Sequence, residues 1–553
     1  MALLSGPDVI THYQRLKTAR SPHESRWEAM APYIAPSRVG IVAPQSPGQS
    51  QTRNVYDSTM MMAAELLSMF MAGHIINPSQ QWFSYRMRDP RMDALDPVKE
   101  WMEECRDRTL RRLSSSMFYA EGPESLIDYV GFGTGFLLAE EMPQPENRVI
   151  QGFRGFFFQA QKTGRFVIED GADGLVDTAM REFTMSARVA QSQWPVLPEP
   201  ITKAIATGKA DTAFTFIHAI LPRAHPDHRK GALGMPWASV WVEKESKFVV
   251  HEGGYHAFPA AIPRYHRTPG EVYGRGRGDL AFDDVLTLNT AKRMGLEDWA
   301  LKIRPPVMMR HDSVIGSLRL EPGGAMMVNA HGQRIQDVLA PWETGSRPEV
   351  SHLNEENLRR SIREIFFVDT VQKLLEINKS EMTAFEYAKK LELLFRLLGP
   401  VYGRLEWEYL HRVIDVLFTL QFAAGDFSPP PPEVFDGDGN VDIEFQNPIA
   451  KAQRAGEAEA LTMAFNDLAP LGQIFPNVWD RFDPDKLAAG ILNIRGFPAA
   501  WTRTDDEMAE LRSARDAKNQ QELAMQQAQG TAAAMKDAAP MVKALQPQPT
   551  RTA

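Results

Sequence analysis

Cysteine is almost missing from this chain: Cys105 is the only one in 553 residues. No intramolecular disulfide can form, which fits a reducing compartment. Also missing is a basic segment leading into an apolar run at the start, so MALLSGPDVITHYQRLKTAR reads as no secretory signal. Positive charge is in deficit. Lys and Arg total 61 against 70 Asp and Glu, a formal net charge of −9. That balance argues against a surface that grips nucleic acid all over, though not against a passage that guides it. Long uncharged apolar runs are lacking too. A membrane-spanning helix wants about 20 apolar residues with few or no charges. The most apolar stretch, Met60 to Ile76, includes Glu65, Ser68 and His74 and stops at Asn77-Pro78. It reads as a core helix rather than a span, and no membrane partner is expected.

Signatures of chemistry are absent as well. GFGTGF (131–136) and GRGRG (274–278) look like phosphate loops but lack the Lys-Ser/Thr pair that holds phosphate and magnesium. Neither has a downstream acid at dinucleotide spacing, so both read as turns. DGDGN (436–440) starts like a calcium loop, but Val441 stands where the bend needs Gly and Asn447 where a bidentate Glu belongs. His218, His225 and His228 are too loosely spaced for zinc without Cys or HExxH context. No GxSxG elbow is present, and nothing around Cys105, between Glu104 and Arg106, marks a nucleophile. No enzyme, metal or cofactor is expected.

What remains is a chain long enough for several cores, with ordinary 43% apolar and 24% charged content. Residues 8–35 read as a polar helix with Tyr13, Leu16, Trp27, Met30 and Tyr33 as its apolar side. Five Met fall between positions 60 and 71. Met62, Leu66, Met69, Gly73 and Ile76 follow helical spacing there, other faces are apolar too, and Asp57 or Ser58 can cap the start. Another amphipathic helix is expected over 97–120, and over 123–141 a short helix running into GFGTGFLLAEE. Residues 150–260 have strand composition, interrupted by a helix over 181–208. A helix follows from Asp279 to Arg304, then a small β element over 307–340 with a turn at Glu321-Pro322-Gly323-Gly324. A second helix begins near Asn354 with Glu355 and Glu356 in its first turn. A very long helical pattern runs from Thr383 to Ala424, with a kink or break expected at Gly399-Pro400. A polyproline segment at 429–432 leads into a turn and a strand, helices return over 448–467, and the last fifty residues, rich in Ala and Gln, read as a partly helical tail. The fold class is α+β and helix-rich.

This succession resembles the portal, or head-to-tail connector, proteins of tailed bacteriophages, especially the short-tailed type. The resemblance is carried by RNVYDSTMMMAAELLSMFMAGHIINPSQQWF (53–83), YGRGRGDLAFDDVLTLNTAKRMGLEDWALKIRPP (273–306), MTAFEYAKKLELLFRLLGPVYGRLEWEYLHRVID (382–415) and GDFSPPPP (425–432), and by their order. It covers most of residues 10–460.

The resemblance implies a homo-oligomeric ring of about twelve subunits at one capsid vertex, with double-stranded DNA passing through it. It implies a wing over 1–278, a stem helix over 279–304, a clip over 305–350 and a second stem helix over 351–372. A tunnel loop over 373–382, a long wing helix over 383–428, a wing end and crown over 429–505 and a tail over 506–553 complete it. Lys373, Asn378, Lys379 and Ser380 would face DNA. Arg310, Arg319 and Arg334 would dock the large terminase subunit and later the tail adaptor. Capsid and scaffolding proteins are further partners, and the location would be the virion vertex, with the host cytoplasm during assembly. Another virion ring component such as an adaptor, or a peripheral membrane protein using the 60–76 helix, are the alternatives. A packaging ATPase is disfavoured by the missing nucleotide loop.

Overall fold

The computed structural model describes residues 5–41, 54–93, 95–142, 152–303, 307–309, 334, 339–341, 348–375, 398–436, 441–445, 482–495 and 507–525, with isolated positions between. Two compact units emerge. The larger comprises residues 1–86, 105–429 and 441–456, and the smaller 87–104, 430–440 and 457–553.

In the larger unit, helix α1 spans Gly6–Ile34, with the Ser5 side chain accepting the Asp8 amide at 3.3 Å as its N-cap. Its expected apolar side is real: Tyr13, Leu16, Trp27 and Met30 are buried. Helix α2 (Thr59–Ile75) follows Asp57, whose carboxylate accepts the Thr59 amide at 3.0 Å. Met60, Leu67, Phe70 and Met71 of α2 are buried. Met62 and Met69, at core spacing in the sequence, face outward instead. Helix α3 (Asp96–Ser114) passes from the smaller unit into the larger at Cys105, and helix α4 (Phe118–Phe132) follows in the larger. The first expected helix over 97–120 is thus two helices, and the second starts earlier than 123.

Strands β1 (Leu137–Glu141), β2 (Phe156–Ala160) and β8 (Ala260–Ala261) form a small antiparallel sheet with β1 in the middle. The main sheet is a five-stranded antiparallel meander of β3 (Phe166–Asp170), β4 (Val176–Ser186), β5 (Ala213–Pro222), β6 (Trp237–Glu243) and β7 (Phe248–Tyr255). One face buries Val167, Met180, Ile217 and Val240 against Val9, Tyr13 and Leu16 of α1. The other buries Phe216 and Val250 against helices α5 (Ala187–Gln193) and α6 (Glu199–Ala206) through Trp194 and Ile201. The helix expected over 181–208 therefore begins only at Ala187. Residues 181–186 continue β4 because Phe183 and Met185 alternate onto a sheet face that the helices cover.

Helix α7 spans Arg277–Ile303 and helix α8 spans Pro348–Ile365, with a β9 (Val307–Met309) and β10 (Leu339–Pro341) antiparallel pair between them. The hairpin expected at 317–328 lies outside the described residues. Helix α8 starts six residues before Asn354, so Glu355 and Glu356 sit inside it rather than in its first turn. After Phe367, in the left-handed region at φ 55°, helix α9 runs Val368–Leu375.

Helix α10 (Gly399–Leu405) has Pro400 in its first turn. The break expected at Gly399-Pro400 is thus a helix start, where proline's missing N–H is no loss. A π-helical segment, Glu406–His411, then leads into helix α11 (Arg412–Ala423). After the prolines, Pro432–Asp436 is a short helix where a turn was expected, and Val441–Phe445 is the expected strand.

In the smaller unit, Pro484–Arg495 is a helix and residues 507–525 are helical and largely exposed, with Arg512 paired to Asp485 at 2.5 Å. No helix among the described residues is long and apolar enough to cross a membrane.

Candidate functional site: the α7–α8 hairpin and its root

The two helices of the hairpin run antiparallel. Ser361 donates to Asp284 at 2.7 Å, and Lys292 lies 3.5 Å from Glu355, so the sequence falls on one helix as it rises on the other. A Cβ at Gly295 would make only ordinary contact with the Glu355 carboxylate. Toward the base, Ala281, Phe282, Val285 and Leu288 of α7 are buried, as are Ile362 and Phe366 on the α8 side. Beyond Lys292 the character changes. Met294, Leu296, Trp299, Leu301 and Ile303 are all exposed, from 40% for Leu301 to 63% for Trp299.

The hairpin is fastened to α1 and to the segment leading into α2 by polar contacts. Asn289 accepts the Tyr56 amide at 2.8 Å and donates to the Asn54 carbonyl at 3.1 Å. Arg26 of α1 pairs with Asp279. Arg359 of α8 bridges Asp57 at 3.0 Å, Glu355 at 3.3 Å and Glu356 at 2.6 Å. Burial alone would raise the Asp57 carboxyl, but bonds from Thr59 and Arg359 outweigh it and hold it below the ordinary carboxylate value.

At the root, the two glycine-rich segments interlock backbone against backbone. Gly133 sits at φ 90°, and a Cβ there would collide with the backbone of Arg275 and Gly276. A Cβ at Gly274 would strike the Gly133 carbonyl, and one at Gly276 or Gly278 the Gly131 carbonyl. The Gly133 carbonyl accepts the Tyr265 amide at 2.9 Å, and Thr134 accepts the Gly274 amide at 2.9 Å. These glycines serve close packing rather than phosphate.

Beside this root lies a buried ion cluster. Arg264, fully buried, donates to Glu408 at 2.7 and 3.1 Å, to Asp170 at 2.7 Å and to the carbonyls of Gly174 and Val272. Burial would lower the Arg264 value, but Glu408 and Asp170 more than offset it and raise it. Glu408 is at the centre of the π segment, which displaces the helical register by one residue and so aims this carboxylate. Sequence reasoning missed Arg264, Glu408, Asn289 and Arg359. Two segments with Gly at every second position were the one available sign that two backbones meet.

Lys373 is exposed in the last turn of α9, so the helical region extends past 372 to Leu375 and Lys373 is not in a loop. Arg334 is exposed. Asn378, Lys379, Ser380, Arg310 and Arg319 lie outside the described residues. His218 is a buried sheet residue: its ring stacks on Trp241 at 3.9 Å, accepts from Arg181 at 3.1 Å and meets Ser239 at 2.9 Å. Burial, then the Arg181 charge, holds its value well below the histidine norm.

A family model described as bacteriophage head to tail connecting protein matches residues 7–502. A protein named probable portal protein from Bordetella phage BPP-1 is 26% identical over 530 residues, spanning 94% of this chain and 92% of its own length. The portal protein of Salmonella phage epsilon15 is 25% identical over 531 residues, spanning 94% and 93%. Among solved structures, the virion of a native gene transfer agent particle holds a chain that is 12% identical, covering 76% of this chain and 91% of its own, at a TM-score of 0.32. The neck of the empty particle, computed with C6 symmetry, gives 12% identity, 76% and 92% coverage and a TM-score of 0.36.

Proposed function

This chain belongs to the bacteriophage head-to-tail connecting protein family, and on that premise we propose that it is a portal subunit. It is a structural component of the virion at the head–tail junction. Copies close into a ring at one capsid vertex, through which double-stranded DNA is packaged and later ejected. The hairpin of α7 and α8 is the stem, and the segment between its helices is the clip. The large terminase subunit supplies the energy from outside the ring, and the clip, with Arg310, Arg319 and Arg334, docks first that motor and then the tail adaptor. Capsid and scaffolding proteins hold the ring in the shell. Lys373, Asn378, Lys379 and Ser380 lie along the DNA path. Phosphate contacts there add affinity without regard to base sequence, so a net acidic subunit with few basic positions keeps DNA moving.

The observation that carries ring assembly is the outer half of α7. Five large apolar side chains between Met294 and Ile303 are exposed in the single chain and point in more than one direction. A helical hairpin bare on both flanks is satisfied when each flank meets a different face of an identical neighbour, a heterologous contact that closes into a ring. Electron microscopy of the purified full-length chain tests this. Closed rings with a central hole, of about twelve subunits, are the expected result. Monomers or dimers at every salt concentration would overturn it.

A further inference from the structure

We infer that the outward methionine stripe of α2 is covered by a second copy of this chain, as a continuation of the hairpin's contact face; this rests on the ring reading above. Met62 is 66% exposed and Met69 56%. Leu66 lies between them, and Gly73 at the far end has nothing within 4 Å of where a Cβ would sit. Glu65 is the one ionisable residue among these positions. Helix α2 cannot turn this stripe inward. Its opposite side buries Met60, Leu67 and Met71, and its start is tied to α8 through Asp57 and Arg359.

The stripe runs on into the hairpin. Asn289 of α7 holds the backbone at Asn54 and Tyr56, which places half-exposed Tyr56 against α7 just ahead of Met62. At about 100° per residue, Leu286, Arg293, Leu296 and Ile303 all project within about 60° of Asn289. Leu286, Leu296 and Ile303 are exposed. An exposed side thus passes from Ile303 and Leu296 along α7, with charged Arg293 among them and buried Phe282 and Val285 below, to Leu286 and Tyr56, from which the chain continues into α2 with Met62 and Met69. Leu280, Met294 and Leu301, also exposed, project about 120–180° away from Asn289 on the other flank. Two dissimilar apolar flanks on one chain are what a head-to-tail contact between identical copies requires, whereas a two-fold dimer uses one self-complementary patch. Unbranched thioethers suit such a seam because they adapt to an irregular opposing surface.

Photo-cross-linking tests the inference. Benzoylphenylalanine is placed at Met62 or Met69 of the full-length chain, with exposed Lys203 as the control position. Irradiated rings are expected to give covalent dimers on a denaturing gel from positions 62 and 69 and none from 203. Rings without dimers at either methionine overturn the inference while leaving the ring reading intact. In parallel, the Met62→Glu, Met69→Glu double variant is expected to lower the ring fraction by about tenfold or more, because it buries charge at the seam, with the melting temperature of the single chain unchanged. Wild-type ring yield from that variant would equally overturn it. Absence of rings from the unmodified chain would instead overturn the reading on which it rests.

Discussion

Glu408, buried, and Glu182, half-buried, show how differently two carboxylates can act. Glu408 faces Arg264 inside the fold, where the pair is enclosed and every guanidinium nitrogen has an acceptor. Removing one member of such a pair strands the other charge, at a cost of about 3–5 kcal/mol. Glu408→Ala is therefore expected to lower chemical-denaturation stability by about that much, and Glu408→Gln by less because it still accepts hydrogen bonds. Equal losses would show that shape rather than charge decides. Glu182 accepts from Lys244 at 2.7 Å and Tyr13 at 2.5 Å. Burial alone would raise its value, but those bonds dominate and bring it down to about 2. A carboxylate depressed in the folded state contributes stability above its unfolded value and loses it as the pH falls through the window between the ordinary glutamate value and about 2. Glu182→Gln is expected to cost about 1–2 kcal/mol at pH 7 and close to nothing at the acid end of that window, read from urea melts at several pH values. A loss of constant size down to the acid limit would refute the charge argument.

Elements with a clear period were legible in the sequence, and elements set by distant contacts were not. Helix α7 was readable almost to the residue because Val285 and Leu288 mark its buried side and Pro305-Pro306 follows it. The β-rich middle was readable from composition, but the 181–186 stretch was not. Whether Phe183 and Met185 belong to strand or helix depends on a sheet face formed by distant residues, Phe214, Phe216, Trp241 and Val250. The outward placement of Met62 and Met69 was equally hidden, since apolar spacing does not say which of two apolar sides meets the core. Pro400 was read as an interruption because local pattern continues through it, and the helix in fact begins there. The candidate site was legible as an order of segments and not as atoms: the hairpin appeared, while its fastening by Asn289, Arg359 and Arg26 did not. The interlock of the two glycine segments makes its own prediction. Gly133→Ala places a Cβ at φ 90° against the Arg275–Gly276 backbone, so it adds conformational strain of about 1–2 kcal/mol to a collision that cannot relax. Loss of soluble, cooperatively melting protein is expected. Gly73→Ala, in open space on α2, is expected to leave the melting temperature within a degree or two or raise it, as Ala favours helix by about 1 kcal/mol. Similar effects from both would deny the interlock its role.

For the whole molecule, the nature of the exposed flanks sets how assemblies respond to solution conditions. Contacts between apolar surfaces are not screened by salt, while those between exposed charges weaken beyond a Debye length of about 10 Å at 0.1 M. Rings joined through Trp299, Met294 and Leu296 are expected to persist at 1 M salt, and the Met294→Glu, Trp299→Glu double variant to remain unassembled there, by light scattering and microscopy. Rings that fall apart in 1 M salt would place the joining contacts among ion pairs instead. The π turn at Glu406–His411 has a different kind of consequence. It holds one residue more than an ordinary turn of the same rise would need. Excising one amino acid from it would let the coil close into an ordinary turn between the same flanking pieces and turn the residues inside it, taking Glu408 off Arg264. Spacing from Leu398 to Gly425 is thus under as tight a constraint as spelling: lineages of this gene should keep the count there, and Glu408 with it, while outward-facing letters drift.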